Sequence, residues 1–171
     1  NLVLKSSIRN KLIEMARHTG LDYSAFDATL VAAVANKRTN QLNIYIWGDG
    51  HVIIKYKDGH IEPLSVKYQS NAPFYFSYGL DKAREAQYKK VFGDGTATLM
   101  RNYFNTEIIP IYFTEDYELD KIESVVIFSD GIETFSDADK NPIPLETIIN
   151  SLTNYKSTVG DFVKRRVIRF N

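Results

Sequence analysis

Apolar residues recur at Leu4, Ile8, Leu12, Met15 and Ala16 in the opening segment LVLKSSIRNKLIEMARH. Spacings of three and four put them on one face of an amphipathic helix, and Gly20 is placed to stop it. The period then changes. DATLVAAVAN is small and apolar throughout, which predicts a buried strand. In QLNIYIWGDG, Leu42, Ile44 and Ile46 alternate with Asn43, Tyr45 and Trp47, the two-residue period of a second strand. Two further strand-like runs in HVIIKYKDGHIEPLSV flank Asp58-Gly59, a pair suited to the positive φ of a tight hairpin turn. Residues 27–66 therefore read as one antiparallel meander of three or four strands.

Farther along, residues 81–91 (within LDKAREAQYKKVF) read as a mostly solvated helix. TATLMRNYF is ambiguous between strand and loop. TEIIPIYF reads as an edge or irregular strand, because Pro110 has no N–H to give a ladder. ESVVIFSD is strongly apolar and reads as a buried strand. Two helices close the chain. One starts near Pro144, with Leu145, Ile148, Ile149 and Leu152 on one face. The other carries Phe162, Val163, Val167 and Phe170 opposite a basic face, with Asp161 as its N-terminal cap. Strands gathered between helices, with antiparallel pairing, predict an α+β fold: two antiparallel β-sheets packed as a sandwich flanked by helices.

Composition narrows the function classes. With 171 residues the chain fits one domain able to bury a core, and its 44% hydrophobic content excludes a disordered chain. Lys+Arg and Asp+Glu balance at 21 each, so no nucleic-acid footprint is expected. Cysteine is absent, which removes disulfides, thiolate nucleophiles and thiolate zinc sites. The histidines, His18, His51 and His60, are too scattered for a zinc site. No apolar run nears the roughly 18 residues of a membrane span. No signal peptide is visible, which makes the cytoplasm the default expectation. The start, NLVLKSS, lacks a methionine and predicts a trimmed or fragmentary chain.

Candidate chemistry rests on four Asp-Gly pairs. Asp58-Gly59 is explained by its hairpin, and Asp94-Gly95 reads as a loop. Asp49-Gly50 and Asp130-Gly131 differ, because each closes an apolar strand. A carboxylate at a strand end is held rigidly yet can face a cleft. Hard ions such as Mg²⁺ or Mn²⁺ take oxygen ligands, and a neighbouring glycine, Gly131 for instance, lets backbone or water approach the ion. The same pairs are also ordinary turn residues.

The order of these segments resembles the metal-dependent protein phosphatase 2C family, in its divergent bacterial branch. Asp27-Ala28-Thr29 stands where the family has a Gly-Ser/Thr-Thr strand opening. Gly48-Asp49-Gly50-His51 stands for Gly-Asp-Ser-Arg, and the hairpin with Leu64-Ser65 for a Leu-Thr-like strand end. Ser129-Asp130-Gly131 stands for a later Ser-Asp-Gly. The resemblance covers residues 26–65 and 123–135. It implies a binuclear Mn²⁺ or Mg²⁺ site and a metal-activated water that attacks a phosphoserine or phosphothreonine. It implies that Asp130, beside Gly131, binds a central metal, and that Asp49 joins it in a third, weaker metal site. The implied partner is a phosphoprotein substrate, with neither nucleic acid nor membrane involved; the oligomeric state is left open.

The departures are specific. An early Arg that holds phosphate, an Asp-Gly-x-Gly-Gly with a bridging aspartate, and a late Asp-Asn or Asp-Asp are all missing. Thr134 stands where a third-site aspartate often sits, Glu133 is one place early, and His51 replaces the Arg. Two explanations follow: an incomplete phosphatase, inactive as this segment alone, or a phosphatase-like module that binds a partner without catalysis. Residues 73–94 match, by resemblance, a variable region that often forms a flap. Beside Asp49, His51 reads as a partly exposed strand histidine. Trp47 and the aromatics of FYFSYG read as core or interface, and KRRVIR as a solvated helix face.

Overall fold

The computed structural model describes residues 2–93, 97–155 and 159–170. The loop expected at Asp94-Gly95 lies outside them. The chain divides into two compact units, Asn1–Ile127 and Phe128–Asn171.

In the first unit the opening pattern folds as expected. Helix α1 spans Leu2–Thr19 and ends where Gly20, at φ +69°, donates its N–H to Ala16 O. Strands β1 (Leu30–Asn36), β2 (Gln41–Trp47), β3 (Gly50–Tyr56) and β4 (Ile61–Tyr68) follow. They are not one meander. β1 and β2 belong to a three-stranded sheet ordered β1-β2-β7, with β7 at Phe113–Glu118. β3 and β4 belong to a five-stranded sheet ordered β6-β5-β4-β3-β8, with β5 at Ala97–Arg101, β6 at Asn105–Ile109 and β8 at Ile122–Phe128. The chain leaves one sheet for the other at Gly48-Asp49, a change that residue alternation alone does not encode. The Asp58-Gly59 hairpin forms as expected, with Gly59 at φ +90° and the Asp58 carboxylate accepting from His60 N.

The two sheets share one core. Leu42, Ile44 and Ile46 of β2 pack with Val52 and Ile54 of β3, Leu64 and Val66 of β4, and Leu99 of β5, all essentially inaccessible to water. The other face of β2 is buried too: Tyr45, Trp47 and Phe76 form a second cluster covered by Leu4, Ile8 and Leu12 of α1. β2 is thus buried on both faces, and period two sorts its side chains between two cores. DATLVAAVAN and ESVVIFSD, expected to be buried, are not. β1 and β8 are edge strands, and they contribute half-buried residues where central strands contribute buried ones. β6 is an edge strand that stops before Pro110, as expected.

Helix α2 (Lys82–Phe92) is capped by Asp81, whose carboxylate accepts from the N–H groups of Ala83 and Arg84. Tyr88 fixes it to the core and donates to Ala72 O. Phe74 and Phe76 are buried as well, so two of the four FYFSYG aromatics are core residues, while Tyr75 and Tyr78 are half-buried. Residues 73–93, the described part of the segment matched to a flap, are packed in this unit.

At the outer part of the core, Arg101 binds Glu62 at 2.7 Å, Glu107 at 3.6 Å and Glu115, and lies 5.6 Å from the Phe113 ring. Tyr56 donates to Glu62. Burial raises the phenol pKa of Tyr45, Tyr56, Tyr68, Tyr88 and Tyr117 above the ordinary value. For a phenol this favours the neutral, folded form. The stabilisation is complete below the unfolded value of about 10 and declines as pH rises through the raised range. Expected at alkaline pH is a two-step absorbance titration of the 11 tyrosines. The phenols raised by burial should ionise late in the titration, together with loss of the circular dichroism signal. Ionisation of all tyrosines in one step, with the fold intact, would contradict this packing.

In the second unit, α3 spans Leu145–Thr153 after Pro144, with Ile148, Ile149 and Leu152 buried. Helix α4 spans Phe162–Phe170, and Phe162 meets Tyr155 edge to face at 4.9 Å. Arg165 N–H donates to Asp161 O at the start of α4. Of the face expected on α4, Phe162 and Val167 are half-buried, but Val163 is exposed.

Candidate functional site

Asp49 sits at the corner between the sheets. Gly48, at φ +86°, turns the chain out of β2, and Gly50 begins β3. Both glycines are buried while Asp49 is half-buried. The Thr29 hydroxyl, just ahead of β1, donates to Asp49 Oδ1 at 2.9 Å. The approach of Thr29 is close enough that a Cβ on Gly48 would lie 2.6 Å from its Oγ1. Asp49 is therefore a positioned carboxylate, with one oxygen engaged by the residue that precedes β1.

Asp130 belongs to the second unit. It follows β8 and opens a short 3-10 turn, Asp130–Thr134, held by Ile132 N–H to Ser129 O and by the Thr134 hydroxyl to Gly131 O. Asp130 and Gly131 are exposed, and Ile132 anchors the turn with only 4% of its surface accessible. Gly131 does not have a positive φ, and a Cβ there would meet Ser129 Oγ at 3.3 Å.

Carboxylates of this kind suit Mn²⁺ or Mg²⁺ in donor type, but a binuclear centre needs several together. Among the described residues no group of three or more His, Cys, Asp or Glu side chains is placed to hold a metal ion. Asp49, Asp130 and Gly131 do not by themselves make the site that the resemblance implies. Nor, among the described residues, is any helix long and apolar enough to cross a membrane.

Two polar clusters are not encoded by any local pattern of the sequence. His51 is not partly exposed; only 2% of it is accessible. It pairs across the β3–β4 ladder with Ser65, its Nδ1 lying 2.6 Å from Ser65 Oγ. Ser65 is equally buried, so this is an interior cross-strand pair. Asp27, in the second cluster, accepts from the Ser77 hydroxyl and from Arg84 Nη2 of α2. The Arg84 guanidinium lies 4.5 Å from the centre of the Tyr78 ring, and the Asp27 bond raises its pKa further. The residue that opens the first strand motif is thus clamped to residues 50 and 57 positions later. Only the local Asp and Arg residues were visible beforehand, not their pairing.

Comparison with known proteins gives no assignment: no family model, no curated protein and no solved structure matches the chain.

Proposed function

We propose that the chain is part of a metal-dependent phosphoserine/phosphothreonine protein phosphatase similar to the protein phosphatase 2C family. The observation that supports the reading most is the setting of Asp49. An ordinary turn aspartate caps its own loop, as Asp58 does. Asp49 instead stands where β2 gives way to a strand of another sheet, oriented by the hydroxyl of Thr29 from a third element. Ser129-Asp130-Gly131, with an exposed carboxylate at the end of β8, is the second element of the reading. The reading requires further metal carboxylates from outside these 171 residues, so no chemical step is assigned to the segment alone.

The test uses the full-length gene product with Mn²⁺ and p-nitrophenyl phosphate. Asp130→Ala is expected to lower kcat by about 100-fold or more, since loss of a metal ligand removes the activated nucleophile. Asp49→Ala is expected to act mainly by raising the Mn²⁺ concentration needed. Unchanged turnover in the Asp130 variant would remove it from the site.

A second reading, a binding module that does not catalyse, is favoured by the absence of a three-residue metal group among the described residues. It predicts no Mn²⁺-dependent hydrolysis by the full-length product.

A further inference from the structure

The first unit contains a cavity of about 270 Å³ that is lined by none of Asp49, Asp130 and Gly131. Its size is near the lower end of small-molecule pockets, roughly 300–1,000 Å³, enough for one ring and a substituent. The lining includes Trp47, Phe76 and Tyr112. Trp47 stacks on Tyr112 at 4.9 Å and meets Phe76 edge to face at 5.2 Å, so the aromatic wall is rigid.

The charges of the lining are unequal. Lys5 and Arg9, four residues apart on α1, project on the same side of the helix. The Lys5 ammonium lies 5.1 Å from the centre of the Tyr112 ring. Neither cation has a carboxylate partner among the described residues. The acidic lining residue, Glu85, is already bound by Lys89 at 2.7 Å. The cavity therefore joins an apolar aromatic wall to two uncompensated positive charges.

We propose that this cavity binds a small aromatic anion, a single ring bearing a carboxylate or a phosphate. The ring stacks within the aromatic wall, and the anionic group meets Lys5 and Arg9. Bare aromatic walls also suit quaternary ammonium ions, but the two cations oppose that choice. A neutral ring would gain the stacking alone.

Trp47 is the single tryptophan of the sequence, so its fluorescence reports on the cavity directly. The 171-residue chain is titrated in EDTA, which keeps metal-dependent hydrolysis out of the measurement and separates this test from that of the phosphatase reading. The ligands are benzoate, phenyl phosphate, benzyl alcohol and tetramethylammonium. The expected result is saturable binding of at least one anion, about tenfold or more tighter than benzyl alcohol, with no response to tetramethylammonium. The relative affinities of benzoate and phenyl phosphate identify the preferred anionic group. The double substitution K5Q/R9Q, at exposed positions, is expected to bring anion affinity down to that of the alcohol and to leave alcohol binding unchanged. The proposal is overturned by no saturable response to either anion at 10 mM or by equal affinity for charged and neutral rings. Binding of tetramethylammonium, or anion affinity unchanged in K5Q/R9Q, would overturn it as well.

Discussion

Gly48→Ala is expected to lower stability by about 3 kcal/mol or more. Two costs add. The residue sits at φ +86°, where a side chain is strained. The new Cβ would also lie 2.6 Å from Thr29 Oγ1 and 3.0 Å from Thr29 Cα. The second of those atoms is backbone, so relief requires β1 to move away from the corner. Gly59→Ala separates the two terms, since Gly59 has φ +90° but nothing within 4 Å of its would-be Cβ. That variant should cost only about 1 kcal/mol, the conformational part alone. Urea denaturation of both variants checks the difference. For a domain of this size, the Gly48 change should lower Tm by roughly 10 °C. Equal losses would mean that the contact with Thr29 is not tight.

Arg101→Met should be the next most costly change, at about 2–3 kcal/mol. Arg101 holds Glu62, Glu107 and Glu115 together, and Glu62 is only 14% exposed. Removing the cation leaves the half-buried carboxylates of Glu62 and Glu115 without their counter-ion, although Tyr56 still donates to Glu62. Breaking a fully buried pair costs roughly 3–5 kcal/mol, and the quarter of the Arg101 side chain that meets solvent reduces that figure. Methionine keeps the length of the stem but removes the guanidinium that lies over the Phe113 ring, so the loss includes that cation–π contact as well as the ion pairs. A double-mutant cycle with Glu62→Gln should return a coupling of about 1 kcal/mol or more. Additive losses would show that the arginine acts through packing alone.

The same residues show what could be read beforehand. Period and punctuation located α1, β2, the Asp58-Gly59 hairpin, α2, α3 and α4, because each of these signals is local. The allocation of β1–β4 between two sheets was not legible. Alternation tells which residues share a face, but not which sheet a strand joins. β7 escaped notice altogether: its FTEDYE is mostly polar, and its carboxylates are accommodated by Arg101 and by Asn43, which binds Asp116. Asp49 stands out in the sequence because it closes an apolar strand, but the corner between two sheets and the hydroxyl of Thr29 that orients it are set by tertiary folding. His51 with Ser65, and Asp27 with Ser77 and Arg84, are pairs made by tertiary folding between elements whose local patterns are unrelated. The cavity was hidden for the same reason, since α1, β2 and residues 74–80 each supply part of its wall.

The order β1-β2-β7 also bears on how the protein is made. β2 finds β1 at once, but its other edge waits for a strand whose partner residues follow by 73 positions, as Asn43 and Asp116 do. At translation rates of about 5–20 residues per second, the wait is roughly 4–15 s. Throughout that interval an apolar strand has unpaired backbone groups on one side, a template for pairing with neighbouring nascent chains. Its closure is a late, entropically slow event in folding. Substitutions that weaken β7 should therefore lower the yield of folded protein during synthesis more than they lower the stability of what has already folded.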